Sequence, residues 1–267
     1  MTQAQPQRRA GEDLHGNIAR RLWEAERTGI AIPAPSEEQP ELTIPDAYEI
    51  QRRGRGLRLD AGERLVGRKI GLTSKAMQEA LGVDQPDYGV LLASMVTRSG
   101  ATIPISRLIA PRVEAEIAFV LDSDLPGPGV TRDDVLAATR EVMPALEVID
   151  SRVADWRITI VDTIADNASS ARAVLGEARP LDGLDLAAIE MTMKVGARAE
   201  HGRGDAVLGH PAEPVAWLAN ALADYGEGLQ AGDVVLPGAL AKAVSVTGGQ
   251  VAWADFGALG TASATFE

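Results

Sequence analysis

The run Pro111-Arg112-Val113-Glu114-Ala115-Glu116-Ile117-Ala118-Phe119-Val120-Leu121 constrains this chain more than any other. With a period of two, Val113, Ala115, Ile117, Phe119 and Leu121 fall on one face, and Glu114, Glu116, Ala118 and Val120 on the other. Both faces are apolar toward the C-terminal end, so the strand is expected to be covered on both sides. Two carboxylates about 7 Å apart on such a strand repel unless a cation lies between them. A third acid, Glu147, sits among aliphatic residues in Pro144-Ala145-Leu146-Glu147-Val148-Ile149. Burying an unpaired carboxylate is costly. Two readings satisfy the pattern. A hard divalent cation, Mg2+ or Mn2+, gathers the three acids. Alternatively, Glu114 and Glu116 lie on the wet face of an edge strand and Glu147 pairs with an arginine, for which Arg112 and Arg152 are near enough in sequence.

Around this segment the chain divides into a helical N-terminal part, residues 1–61, and a β-rich part, residues 62–267. Leu14, Ile18, Leu22 and Ala25 recur at helical spacing and Gly29 ends the helix. Pro33, Pro35 and Pro40 mark a linker. Thr43 with Asp46 three places on starts a second helix toward Leu59, which Gly54 and Gly56 weaken. Strand-like runs follow at 65–71, 112–121, 145–149, 191–195, 233–236 and 250–256, with helices near 74–81, 132–142 and 214–225. They do not alternate as βαβ units, so the fold class expected is α+β rather than a doubly wound sheet. No internal repeat and no phosphate-cradling glycine motif is present.

Composition excludes several chemistries. The 267 residues include no cysteine, which removes disulfides, thiol catalysis, cysteine-ligated zinc and iron–sulfur clusters. A formal net charge of -12 argues against a nucleic-acid partner. No apolar run is long enough to span a membrane. The N-terminal stretch has no apolar segment behind its arginines, so a secretory signal is not expected and a cytoplasmic location is. His15, His201 and His210 are all the histidine available.

Lys69 lies in the strand-like run Val66-Gly67-Arg68-Lys69-Ile70-Gly71, ahead of Thr73 and Ser74. A partly desolvated lysine beside a dication can move protons; the same lysine can also snorkel at a surface. Residues 82–89 read as an acidic loop around Asp84 and Asp87. The cluster Asp166-Asn167-Ala168-Ser169-Ser170 can bind an anion or cap a helix. Trp156 and Trp217 are expected in the core, and His201 and His210 in loops.

Together, Gly67-Arg68-Lys69-Ile70-Gly71-Leu72-Thr73-Ser74, Gly82-Val83-Asp84-Gln85-Pro86-Asp87-Tyr88-Gly89 and Pro111-Arg112-Val113-Glu114-Ala115-Glu116 resemble the 2-keto-4-pentenoate hydratase / 4-oxalocrotonate decarboxylase family of the fumarylacetoacetate hydrolase superfamily. The resemblance continues through residues 144–152, 162–169 and 207–211. It implies a fumarylacetoacetase-like mixed β-roll with an N-terminal helical region, and a Mg2+ or Mn2+ held by Glu114, Glu116 and Glu147. It places the family lysine on Lys69 and the acidic loop residue on Asp84, the candidate acid/base. Thr73, Asn167 and Ser169 are the candidate substrate contacts. The implied substrate is a 2-hydroxy-2,4-dienoate from the breakdown of aromatic compounds, hydrated to a 4-hydroxy-2-oxo acid. Residues 151–158 followed by Val161-Asp162-Thr163 look like the hydratases, with 4-oxalocrotonate decarboxylase or a non-catalytic partner subunit as alternatives. Carbon–carbon bond hydrolysis, as in other superfamily members, calls for a His–acid pair; no histidine lies near Lys69 or the Glu-x-Glu segment in sequence. A homo-oligomer is implied, with possible association with a pathway decarboxylase or aldolase.

Overall fold

A computed structural model describes residues 13–75, 78–79 and 82–267; the helix expected near 74–81 falls partly outside them. Helix α1 (Leu14–Thr28) buries Ile18, Ala19, Leu22 and Ala25, and stops where Gly29 turns left-handed and its amide bonds Ala25 O at 2.9 Å. The proline linker contains a short helix, α2 (Pro35–Glu38), because Pro35 stands at a helix start, where its fixed φ is favourable. Helix α3 (Ile44–Asp60) opens on the expected Thr43/Asp46 capping box and runs through both glycines. These helices pack in one apolar cluster with Val153, Ile164 and Ala165 of the β-rich part. The last two belong to α5 (Ile160–Ala165), and Asp162 joins the parts by accepting from Ser36 N (2.8 Å) and Ser36 Oγ (2.6 Å).

The centre is an antiparallel pair, β5 (Arg112–Leu121) and β6 (Thr139–Ile149). The larger sheet runs β2 (Asp87–Leu92), β1 (Leu65–Gly71), β11 (Val234–Leu236), β5, β6, β7 (Ser170–Leu175), β3 (Val96–Arg98). Strand β12 (Val244–Ser245) pairs with β5, and β8 (Arg179–Pro180) with β6. A five-stranded sheet, β10 (Arg198–Arg203), β9 (Glu190–Val195), β13 (Val251–Asp255), β14 (Thr261–Phe266), β4 (Ala101–Ile103), covers one face. There Val113, Ala115, Ile117, Phe119 and Leu121 meet Met191, Met193, Ala252, Ala254 and Phe266, with Val215, Leu218 and Leu222 of α6 (Ala212–Ala223). Ala118 on the opposite face packs with Val90, Leu92, Ala145, Ala173 and Leu236. β5 is thus buried on both sides, as its alternation requires.

Two expected elements end elsewhere. The helix expected over 132–142 is α4 (Arg132–Ala138), and the chain extends from Thr139 into β6. Thr139 and Val142 are β-branched and pair with Leu121 and Phe119, so the long ladder on β5 prevails over helix propagation. The loop expected at 82–89 becomes strand at Asp87, where β2 pairs with β1 through Gly71↔Asp87 and Lys69↔Gly89.

Behind the sheet, Arg152 is buried and held by Asp166: Nε donates to Oδ1 at 2.5 Å, the backbone N to Oδ2 at 2.9 Å, and Nη2 to Asp166 O at 2.5 Å, while Nη1 donates to Ser170 O at 3.0 Å. Burial pushes the Asp166 carboxyl up to about 6, against the pull of Arg152. Arg152→Leu strands this carboxylate and is expected to cost about 3–5 kcal/mol, read as a lowered urea midpoint at pH 7.5.

Candidate active site

The strand register builds the site. Glu114 and Glu116 leave β5 on the same face, and Glu147 of β6 stands directly opposite Glu114. All three are buried, and each offers a carboxylate oxygen within 4.8 Å of the others. Glu116 Oε2 accepts from Gly238 N at 2.8 Å. Its Oε1 and both oxygens of Glu147 have no hydrogen-bond partner among the described residues. Neither expected arginine serves them: Arg152 holds Asp166, and the Arg112 guanidinium lies over the Trp156 ring at 4.2 Å. The cation present is Lys69, buried in β1, with Nζ 3.4 Å from Glu147 Oε2 and donating to Ala168 O at 3.0 Å. The buried-cluster reading therefore holds over the edge-strand one, and Lys69 is not a surface lysine.

Electrostatics follow from this crowding. Burial, then the Glu147 charge, raise the Glu114 carboxyl to about 7, with Lys69 opposing. Burial and the two neighbouring glutamates raise Glu116 well above the carboxylate range. Burial alone would lower Lys69, but Glu147, Asp87, Glu114 and Glu116 outweigh it and raise its pKa. Three buried, converging, partly orphaned oxygen donors fit a hard dication such as Mg2+ or Mn2+.

The cluster opens on a cavity of about 490 Å3 lined by Lys69, Thr73, Asp87, Arg112, Glu114 and Ser169, with Ile70, Leu72, Ile149, Trp156 and Ile158 as apolar wall. Among the candidate contacts, Thr73 and Ser169 face it, and Ser169 Oγ lies 3.3 Å from Thr163 Oγ1. Asn167 does not: its amide is taken up by β2, accepting from Val90 N (2.7 Å) and donating to Val90 O (3.0 Å). Asp84 is exposed on the loop before β2 and does not line the cavity. Asp87, three residues on and drawn into the β1 ladder, is buried there, and burial raises its carboxyl above the usual range. Trp156 corrects a second expectation. It lies outside the core clusters, half-buried in the cavity wall, because a left-handed backbone (φ 54) turns its ring outward and Nε1 bonds Ala110 O at 2.9 Å. Trp217, half-buried, packs against the core as expected. Arg112, Thr163 and Asp87 carry no local sequence signal that marks them as site residues; Asp87 shares an acidic loop with Asp84, and residue order does not separate the two.

Backbone strain gathers here. Leu72, Trp156, Ala168 and Ser169 line the cavity with positive φ, and Asn167 makes three such residues in succession. Each left-handed non-glycine costs about 1–3 kcal/mol. Here the turn presents Ala168 O to Lys69. No histidine lines the cavity: His210 lies in a loop as expected, with Nδ1 accepting from Ala212 N, whereas His201, expected in a loop, lies in β10, drawn into strand by pairing with Thr192 of β9.

A curled β core carrying a buried Glu-x-Glu pair and a third glutamate defines a fumarylacetoacetase-type metal-site protein. Residues 64–267 match the fumarylacetoacetate (FAA) hydrolase C-terminal family, and the chain belongs to that family. It is 49% identical over 233 residues to a 2-hydroxyhexa-2,4-dienoate hydratase of Comamonas testosteroni, covering 86% of this chain and 88% of that one. It is 47% identical over 253 residues to a 2-keto-4-pentenoate hydratase of Burkholderia vietnamiensis, covering 94% and 96%. The solved 4-oxalocrotonate decarboxylase from Pseudomonas putida G7, complexed with magnesium and adipate, superposes with a TM-score of 0.93 at 36% identity, covering 98% of this chain and all of that one. The expected β-roll and family resemblance are borne out. No helix among the described residues is long and apolar enough to cross a membrane.

Metal binding requires deprotonated ligands, so a dication held by Glu114 and Glu116 would have to displace protons when the pH lies below their raised pKa values. A raised carboxyl stabilises the metal-free fold at low pH, and that contribution is lost as the pH climbs from the unfolded value through the folded one. The gain in Tm on adding Mg2+ is therefore expected to be several degrees larger at pH 8 than at pH 6 by differential scanning fluorimetry.

Proposed function

We propose that the chain is a metal-dependent hydro-lyase that adds water to a 2-hydroxy-2,4-dienoate, converting 2-hydroxypenta-2,4-dienoate to 4-hydroxy-2-oxopentanoate in aromatic catabolism. The observation that carries this is the buried, partly orphaned set Glu114, Glu116 and Glu147, which reaches through Glu114 a cavity shared with Lys69 and Asp87. The hydratase names of relatives at 47–49% identity support the reaction class, and the magnesium in the decarboxylase complex supports the cofactor. Mg2+ or Mn2+ on the three glutamates supplies a Lewis acid for negative charge on the substrate's C2 oxygen.

The chain's own residues divide the remaining work. Lys69, fixed between Glu147 and Ala168 O, orients the C2 oxygen and relays its enol proton, which ends on C3 when the C2 ketone forms. Asp87, whose carboxyl burial raises above the usual range against the pull of Lys69, takes the acid/base role expected of Asp84: it delivers a proton to C5 and recovers one from the water that adds at C4. Thr73 and Ser169 offer hydroxyls to the carboxylate, and the apolar wall excludes competing water. Decarboxylation of 4-oxalocrotonate is the second reading, favoured by the close superposition on that decarboxylase. The proposal includes a homo-oligomer, association with a pathway decarboxylase or aldolase, and a cytoplasmic setting.

Incubation with 2-hydroxypenta-2,4-dienoate and, separately, 4-oxalocrotonate in Mg2+ or Mn2+ should show water uptake by the first and no CO2 from the second; the reverse result assigns the decarboxylase. Glu114→Gln should abolish metal-dependent turnover while raising the metal-free Tm at pH 8, since one repelling charge is gone. Lys69→Ala and Asp87→Asn should each lower kcat about 10²–10⁴-fold, with Asp84→Asn near wild type. Unchanged kcat in Lys69→Ala would remove that lysine from the mechanism.

A further inference from the structure

We infer that Arg112 is the carboxylate-binding residue of this cavity, its guanidinium held open to the substrate by the Trp156 ring. The inference rests on the reading that the substrate is a carboxylated dienoate. Arg112 opens β5 two residues before Glu114, so its side chain leaves the sheet on the glutamate face, and it lines the cavity. Its partner is unlike those of the buried arginines. Arg68 pairs with Glu227 and Arg152 with Asp166, whereas Arg112 forms no ion pair with a carboxylate among the described residues and instead lies over the indole of Trp156, 4.2 Å from the centroid. A contact to the ring face takes up none of the guanidinium's N–H donors in an ion pair, so its fork can meet a carboxylate in two parallel hydrogen bonds.

The platform is itself braced. Trp156 and Asp155 both have left-handed backbones (φ 54 and 59), and Trp156 Nε1 donates to Ala110 O at 2.9 Å. Ala110 N and Ile109 N in turn donate to Asp150 at 2.7 and 2.8 Å. Backbone strain at a ring that half-faces the cavity is accounted for if the ring must sit under the guanidinium. Charge points the same way. Fully ionised, Glu114, Glu116, Glu147 and Asp87 carry four negative charges; Lys69 and the exposed Lys242 offset two and a dication the other two, so without Arg112 the cavity has no net positive charge to offer an anionic substrate. Arg112 adds the positive charge that favours a carboxylate there.

The carboxylate read by Arg112 is either C1 of the dienoate or a second carboxylate at the far end of a dicarboxylic substrate; two probes separate them. Mg2+-loaded wild type and Arg112→Gln are compared for KM with 2-hydroxypenta-2,4-dienoate, which has one carboxylate, and for adipate Kd by calorimetry. A rise of about 10–100-fold in KM, with or without a matching rise in adipate Kd, assigns Arg112 to C1; a rise in adipate Kd alone assigns it to a second carboxylate. Trp156→Leu should show the same pattern at smaller size, with Trp156→Phe restoring most of it. Mg2+ affinity should stay equal or tighten in Arg112→Gln, because a like charge beside the dication is removed. Unchanged KM and adipate Kd overturn the inference, as does weaker Mg2+ binding with a lowered Tm, which marks a structural role. If wild type binds adipate through Arg112 but hydrates no dienoate, the proposed reaction fails and this inference stands.

Discussion

Glu114 and Glu147 face each other across the β5–β6 ladder with Glu116 one step along, and the rest of the architecture answers that repulsion. Like charges directly opposite in a sheet are destabilising, and here they are also buried. The fold brings three things to them: Lys69 from β1, the Gly238 amide from the turn after β11, and an open cavity in which a dication can complete the charge balance. Gly238 shows how tightly this is built. Its φ is +119, and a Cβ there would overlap the Thr73 side chain, so the amide reaches Glu116 only because the residue is glycine.

The site's second half is strained backbone held by remote packing. Asn167, Ala168 and Ser169 are left-handed in succession, and the turn survives because its flanks are over-determined. Asn167 is locked to Val90, Asp166 to Arg152, and the preceding α5 is packed under α1 and α3. Gln51 of α3 bridges the same region, donating to Tyr88 O at 2.8 Å and to Ile164 O at 2.9 Å. The N-terminal helices therefore brace, without lining the cavity, the segment whose carbonyl accepts from Lys69.

How much could be seen from residue order varied with the range of the interaction. The α1 stop at Gly29, the Thr43/Asp46 cap and the two-faced β5 are local patterns and appear as read. The α4–β6 boundary does not, since pairing with β5 draws Thr139 and Val142 into strand. Asp84 and Asp87 are equivalent in a loop read by composition; pairing with β1 buries the second and leaves the first in solvent. Trp156 looks like any core tryptophan until its left-handed backbone turns the ring to the cavity wall. Asn167 carries the right polarity for a ligand contact but spends both ends of its amide on β2.

Residue order alone set the side-chain alternation that puts Glu114 and Glu116 on one face, the helix caps, and a donor set without thiols and with scarcely any imidazole. Those are properties of neighbours a few bonds apart. Only the tertiary structure decided that Glu147 stands opposite Glu114, that Lys69 rather than an arginine is their counter-charge, and that Asp87 and Arg112 share the cavity. Each depends on ladder register between segments far apart in the chain, where one residue's slip would turn every side chain to the other face.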